Sequence, residues 1–244
     1  MKGFTIYHGP STIDGAPIVA VLTLKSENPK TGSIPQLWIL PADTEPHTAA
    51  KAGADVSVCG GCPHRPRSGG SCYVILHRGP LSVYRTWQRG GYPQATTAQL
   101  AAWFAAAAPR AVRLGAYGDP LAVPFNVLED FANIARDAGA TVLGYTHRWK
   151  HPNAAPYRGL CMASVDTLSE QRDARSRGWR TFRVMAPDEN LTPGERMCPA
   201  LEGMTCNACR ACDGMNSPDS RDVAIPVHGS NAVRKFSTWQ GARR

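Results

Sequence analysis

Cys59-Gly60-Gly61-Cys62-Pro63-His64 and Cys206-Asn207-Ala208-Cys209-Arg210-Ala211-Cys212 set thiols two residues apart. A two-residue gap folds the chain back so that both sulfurs can reach one metal. Cys72 joins the first set across a Gly/Arg loop, and Cys198 joins the second. The first set then offers three thiolates, with His64 as a candidate fourth ligand, and the second offers four. Four thiolates saturate a centre, which can then only pass electrons or hold structure. Three leave one iron of a 4Fe–4S cluster open to a substrate or cofactor if His64 stays away.

The C-x-x-C-x-x-C run resembles ferredoxin-type ligation around a cubane cluster, while zinc also accepts four thiolates. Two iron–sulfur clusters, or zinc in their place, are therefore the cofactors expected. Cys161 stands alone in an apolar run and reads as a small hydrophobe.

Several elements must position these groups. Residues 4–7, 18–24 and 37–40 are β-rich and separated by Gly-Pro, Asp-Gly and Lys-Thr-Gly turns. Thr96 and Gln99 make a capping-box pattern before Leu100, Trp103, Phe104 and Ala107 at helical spacing. Val127, Leu128, Phe131, Ile134, Ala135 and Ala138 share a helix face that stops at Gly139. Thr167 and Glu170 form a second capping-box pattern, for a helix ending near Gly178. Residues 112–117, 141–145, 161–165 and 181–185 read as strands between the helices, and 225–230 as a late one. The stretch after Ala186 reads as loop.

Strands alternating with helices predict an α/β fold with a parallel sheet, a partial or full βα barrel carrying cysteine-rich metal-binding loops. The expected segments are 1–95, β-rich with the first cysteines; 96–190, the βα core; and 191–244, the second cysteines, all packed as one unit. Ligands of such sheets sit at the C-terminal strand ends. The polar groups there are Asp119, His147, Ser164 with Asp166, and Arg183. Asp119 before a proline is also a common turn residue, and Asp166 can cap its helix.

The net charge of +8 favours an anionic substrate or nucleic acid. Arg65, Arg67 and Arg78 suit a phosphate or cofactor pocket, whereas Arg234, Lys235, Arg243 and Arg244 can equally be a solvated tail. At 43% hydrophobic residues a sizeable core is available. No run nears the roughly 18 apolar residues that span a membrane, and the first residues lack a signal-like apolar run. A cytoplasmic location without membrane contact is expected, which favours metal binding over disulfides.

A three-cysteine loop ahead of a βα array resembles the radical S-adenosylmethionine enzymes. The chain also resembles a cysteine-rich protein group of phages and plasmids, which would place it in a host cytoplasm. That likeness rests on Val-Cys-Gly-Gly-Cys-Pro-His-Arg with a later Cys-Tyr-Val, and on Arg-Leu-Gly-Ala-Tyr-Gly-Asp-Pro, Gly-Tyr-Thr-His, Met-Ala-Ser-Val-Asp and Gly-Trp-Arg-Thr-Phe-Arg-Val. The radical enzymes usually space their cysteines by three and then two residues; here the gaps are two and nine. The resemblance implies Cys59, Cys62 and Cys72 on the cluster, Asp119, His147 and Asp166 as catalytic groups, and Tyr73 and Arg183 beside bound S-adenosylmethionine. Two functions follow: an iron–sulfur enzyme acting on a nucleotide, nucleic acid or protein, or a zinc-stabilised nucleic-acid-binding protein without catalysis. A blander third reading has zinc merely holding loops in place.

Overall fold

The computed structural model describes residues 2–216, 221–228, 233–236 and 238. Alternating and fully apolar runs build the first sheet. Strands β1 (Gly3–Pro10), β2 (Pro17–Thr23) and β3 (Gln36–Pro41) form an antiparallel meander. Strands β4 (Ala111–Tyr117) and β5 (Thr141–Leu143) then add in parallel, giving the order β1-β2-β3-β4-β5. Ile18 to Leu22 of β2 are buried residue by residue, because this strand is covered on both faces.

The second sheet contains β6 (Tyr145–Thr146), β7 (Met162–Val165), β8 (Thr181–Met185), β9 (Glu195–Met197) and β10 (Asp222–Pro226). All pairings are parallel, in the order β6-β7-β8-β10-β9. The fold is thus mixed α/β with parallel strands, and no closed barrel forms among the described residues. The expected full barrel is not formed, because the two sheets end at β1 and β9 without pairing there.

The single strand expected over 141–145 is two. β5 pairs with β4, β6 pairs with β7, and Gly144 lies between them. The Gly144 N–H donates to the Cys212 carbonyl at 3.0 Å, so a loop enters where the ladder would have continued. A Cβ at Gly144 would lie 2.9 Å from the Cys161 sulfur, which leaves room only for glycine. Cys161 itself is buried in the main core.

Among the helices packed around the sheets are α1 (Pro46–Ala52), α2 (Val56–Cys59), α3 (Gly79–Gln88), α4 (Thr97–Ala107), α5 (Phe125–Asp137), α6 (Leu168–Ser176) and α7 (Cys206–Cys209). The Thr96–Gln99 capping box is complete. At α6 only half of one forms. Thr167 caps the Glu170 N–H, but the Glu170 carboxylate accepts from the Asp166 N–H instead. Helix α5 buries Leu128, Phe131 and Ala135 of the expected stripe together with Ala132, while Val127, Ile134 and Ala138 pack at its edge, and Phe131 meets Phe104 of α4 edge-on.

Helices α1 to α3 lie in the segment 1–95 that reads as β-rich, and strand β9 lies where the sequence reads as loop. The late strand is β10, which begins before the expected 225–230; residues 229 and 230 lie outside the described residues. Arg234 and Lys235 are exposed, while Arg243 and Arg244 also lie outside. No helix among the described residues is long and apolar enough to cross a membrane.

Candidate metal centres and the cavity between them

Helix α2 ends at Cys59, whose N–H bonds the Asp55 carbonyl at 2.9 Å. Gly60 then takes a left-handed φ of 56° and closes the turn onto the Val56 carbonyl. Such a φ favours glycine. The chain continues to Cys62, whose N–H bonds the Cys59 carbonyl, and returns at Cys72, whose N–H bonds the His64 carbonyl. Arg65 braces this loop: its guanidinium pairs with the buried Asp55 at 2.5 Å and bonds the carbonyls of Gly60 and Gly53. Arg67 bonds the Ala52 carbonyl. Neither arginine lines the large cavity between the two cysteine sets; Arg65 serves as a brace of the loop.

The three thiols feel one another. Burial pushes the Cys59 thiol up, and Cys62, Cys72, Asp55 and Asp119 push it further. Cys62 is pushed up to about 12, by burial first, against a hydrogen bond from the His64 backbone N–H. Cys72 is the exposed member, yet the surrounding walls still raise it, opposed by the Val74 backbone N–H. Both amides lie two residues beyond their cysteine.

The four thiols of the second set line one small cavity with Tyr145, Arg196 and Met204. Each is fastened from a different quarter. The Cys198 N–H bonds the Ala224 carbonyl of β10 at 2.8 Å, and the Cys206 N–H bonds the Lys30 carbonyl at 3.0 Å. The Cys212 carbonyl closes the seam at Gly144, and Arg196 donates to the Cys209 sulfur at 2.9 Å. Burial raises Cys198, Cys206 and Cys212, the last to about 12. The Ala200 N–H opposes the shift at Cys198, again from two residues on.

A larger cavity of about 570 Å³ joins the two sets. Cys59, Cys62 and Cys72 line one part, Cys198 and Cys206 another, and Asp119, His147, Ser164, Phe182 and Val184 come from the strand ends. Lys30 and Arg113 bring positive charge to the lining, and His228 lies among the same residues. Tyr73 also lines it, stacked on His228 with ring centres 5.1 Å apart.

Asp119 is a brace as well as a wall. Its carboxylate accepts from the Leu121 N–H, the Thr146 hydroxyl and the His147 N–H, and its own N–H bonds the Val58 carbonyl of α2. One residue thus holds the first cysteine loop against the ends of β4 and β6. Burial raises its pKa in spite of these donors. Gly118, before it, has φ 82°, and a Cβ there would lie 2.5 Å from the Ile39 carbonyl oxygen.

Asp166 sits behind the lining. Its carboxylate meets the His64 Nε2 at 2.8 Å, and the His64 Nδ1 meets the Ser71 hydroxyl at 3.0 Å. One potential ligand atom from each of His64, His147 and Asp166 lies within 4.8 Å of the others. Burial lowers the His147 pKa.

Arg183 is not brought to this cavity. It lies on the opposite face of β8 from Phe182 and Val184, fully buried, and its guanidinium bonds Glu195, Glu189 and the Asn190 carbonyl. The alternation along β8 carries that signal. Sequence reasoning also passed over Ser71, Arg113, Lys30 and His228, whose place depends on contacts distant in the chain. No protein family, curated protein or solved structure matches this chain.

Proposed function

We propose that the protein is an iron–sulfur enzyme with a partial βα barrel of the radical S-adenosylmethionine type. It acts on an anionic substrate: a nucleotide, a nucleic acid or a protein. The observation that carries this is the shared cavity, bounded by the three thiols of the first set, by Cys198 and Cys206 of the second and by the polar strand ends. Its volume lies within the range of roughly 300–1,000 Å³ usual for small-molecule sites.

The donor sets suit clusters. Buried thiols pushed this high stay protonated unless a cation replaces the proton. Backbone amides aimed at Cys62, Cys72 and Cys198 suit thiolate sulfur, and such bonds tune iron–sulfur centres. A single zinc would hold its sulfurs ~3.8 Å apart, from Zn–S near 2.3 Å. Among the described residues no three cysteine sulfurs lie within 4.8 Å of one another.

Cys59, Cys62 and Cys72 would hold the open cluster, and Cys198, Cys206, Cys209 and Cys212 the saturated one. When bound, the open cluster supplies an iron for the amino-acid end of S-adenosylmethionine and an electron for its cleavage. His64 meets Asp166 through Nε2 and Ser71 through Nδ1, and on this reading it is not the fourth ligand of the first set. His147 and Tyr73 face the space where cofactor and substrate would lie, and Lys30 and Arg113 would draw the anionic group. Elemental analysis of protein purified without oxygen tests the reading. Iron with acid-labile sulfide, enough for two clusters per chain, is expected. Zinc alone would overturn it in favour of the zinc-stabilised nucleic-acid-binding protein.

A further inference from the structure

The geometry points to a metal site separate from the cysteines: one divalent cation, zinc or iron(II), held by His64, His147 and Asp166 on the cavity wall. These three offer ligand atoms within 4.8 Å of one another. They come from three unrelated places, the first cysteine loop, the end of β6 and the end of β7, so no local turn explains their meeting. The second observation is the His147 Nε2, which is buried and makes no hydrogen bond. A buried imidazole nitrogen left without a partner beside a carboxylate and a second imidazole is a ligand awaiting an acceptor of its lone pair.

The supports around the trio are those a metal site needs. Ser71 bonds the far nitrogen of His64 at 3.0 Å and so fixes that ring. The Asp119 carboxylate holds the His147 backbone N–H at 2.9 Å. Phe236 stacks on His64 at 6.0 Å between ring centres and shields it. His64 and His147 both line the large cavity, so the cation's open positions face it. Two imidazoles and one carboxylate suit zinc or iron(II), and three protein ligands leave room for an oxygen of the substrate. The ligand class is therefore an oxyanion, phosphate or carboxylate, bound through this cation in a cavity that Arg113 and Lys30 also line.

The test is zinc K-edge X-ray absorption on protein purified without oxygen and then given zinc, with iron and sulfide counted on the same samples. A nitrogen/oxygen shell near ~2.0–2.1 Å is expected in the wild type. His147→Ala should remove that shell and weaken zinc uptake at least ~10-fold, with iron and sulfide unchanged. If the cysteines also take zinc, a sulfur shell near ~2.3 Å should persist in His147→Ala while the nitrogen/oxygen shell goes. The unmutated protein reads the ligands whether or not the variant folds: a wild-type spectrum with sulfur neighbours only overturns the site. So does a spectrum identical in the two proteins. Iron content reports separately on the cluster reading.

Discussion

The two cysteine sets use the same donor atom in opposite settings. The first hangs on a four-residue helix and a loop, keeps Cys72 exposed, and is braced largely by one ion pair, Arg65–Asp55. The second sits in a small cavity and ties together β10, the β2–β3 loop and the seam at Gly144. On the proposed reading the first set would be reached by a ligand and the second would be saturated. Exposure and thiol number, rather than donor chemistry, would then separate the two roles.

The largest effect should come from the set that joins distant segments. Cys212→Ser should lose one cluster's worth of iron and sulfide and also destabilise the fold. A structural metal site contributes several kcal/mol, and at ~2–4 °C per kcal/mol the melting temperature should fall by at least ~10 °C. Cys72→Ser should lose similar iron with a shift under about 3 °C. Equal shifts measured by thermal circular dichroism would erase the contrast.

Next in size is the brace of the first set. Asp55 is only 1% exposed, so Arg65→Ala leaves a carboxylate buried without its partner. A loss of about 3 kcal/mol in urea unfolding is expected. Iron should be lost from the first set alone, which a Cys72→Ser background would reveal by showing no further loss.

A smaller effect lies beneath the second set, where β9 leads into Cys198. Burial works to raise the Glu195 carboxyl, but hydrogen bonds from Arg183 and Thr192 outweigh it and hold it at about 2, below its ordinary 4.5. Because the folded value is the lower one, the pair's stabilisation is complete above about pH 4.5 and fades as pH falls towards about 2. Tryptophan fluorescence should show unfolding in that window. Glu195→Gln should be less stable at neutral pH and flatter below it. A variant with the wild-type acid slope would remove Glu195 from the account.

The sequence showed most of the scaffold where local rules decide. Strand β8 covers the expected 181–185, and α4 and α5 follow a capping box and a 3.6-residue stripe. The spacing of Cys206, Cys209 and Cys212 suggests that they meet, and together with Cys198 they line one cavity. The split between β5 and β6 was not, since a carbonyl from Cys212 imposes it. Helices α1 to α3 are short and held by tertiary packing. The His64–Asp166 pair spans 102 residues and has no local signature. Arg183 was misplaced because position near a strand end was weighed above side-chain parity.

The central claim is that the first set holds a cluster with an open iron on the cavity. Electron paramagnetic resonance of the reduced, iron-reconstituted protein, with and without S-adenosylmethionine, tests it most directly. The account predicts a spectrum that changes on adding S-adenosylmethionine in the wild type and in Cys212→Ser, and a loss of that change in Cys72→Ala. A spectrum indifferent to S-adenosylmethionine in the wild type, or a response that survives in Cys72→Ala, would contradict it.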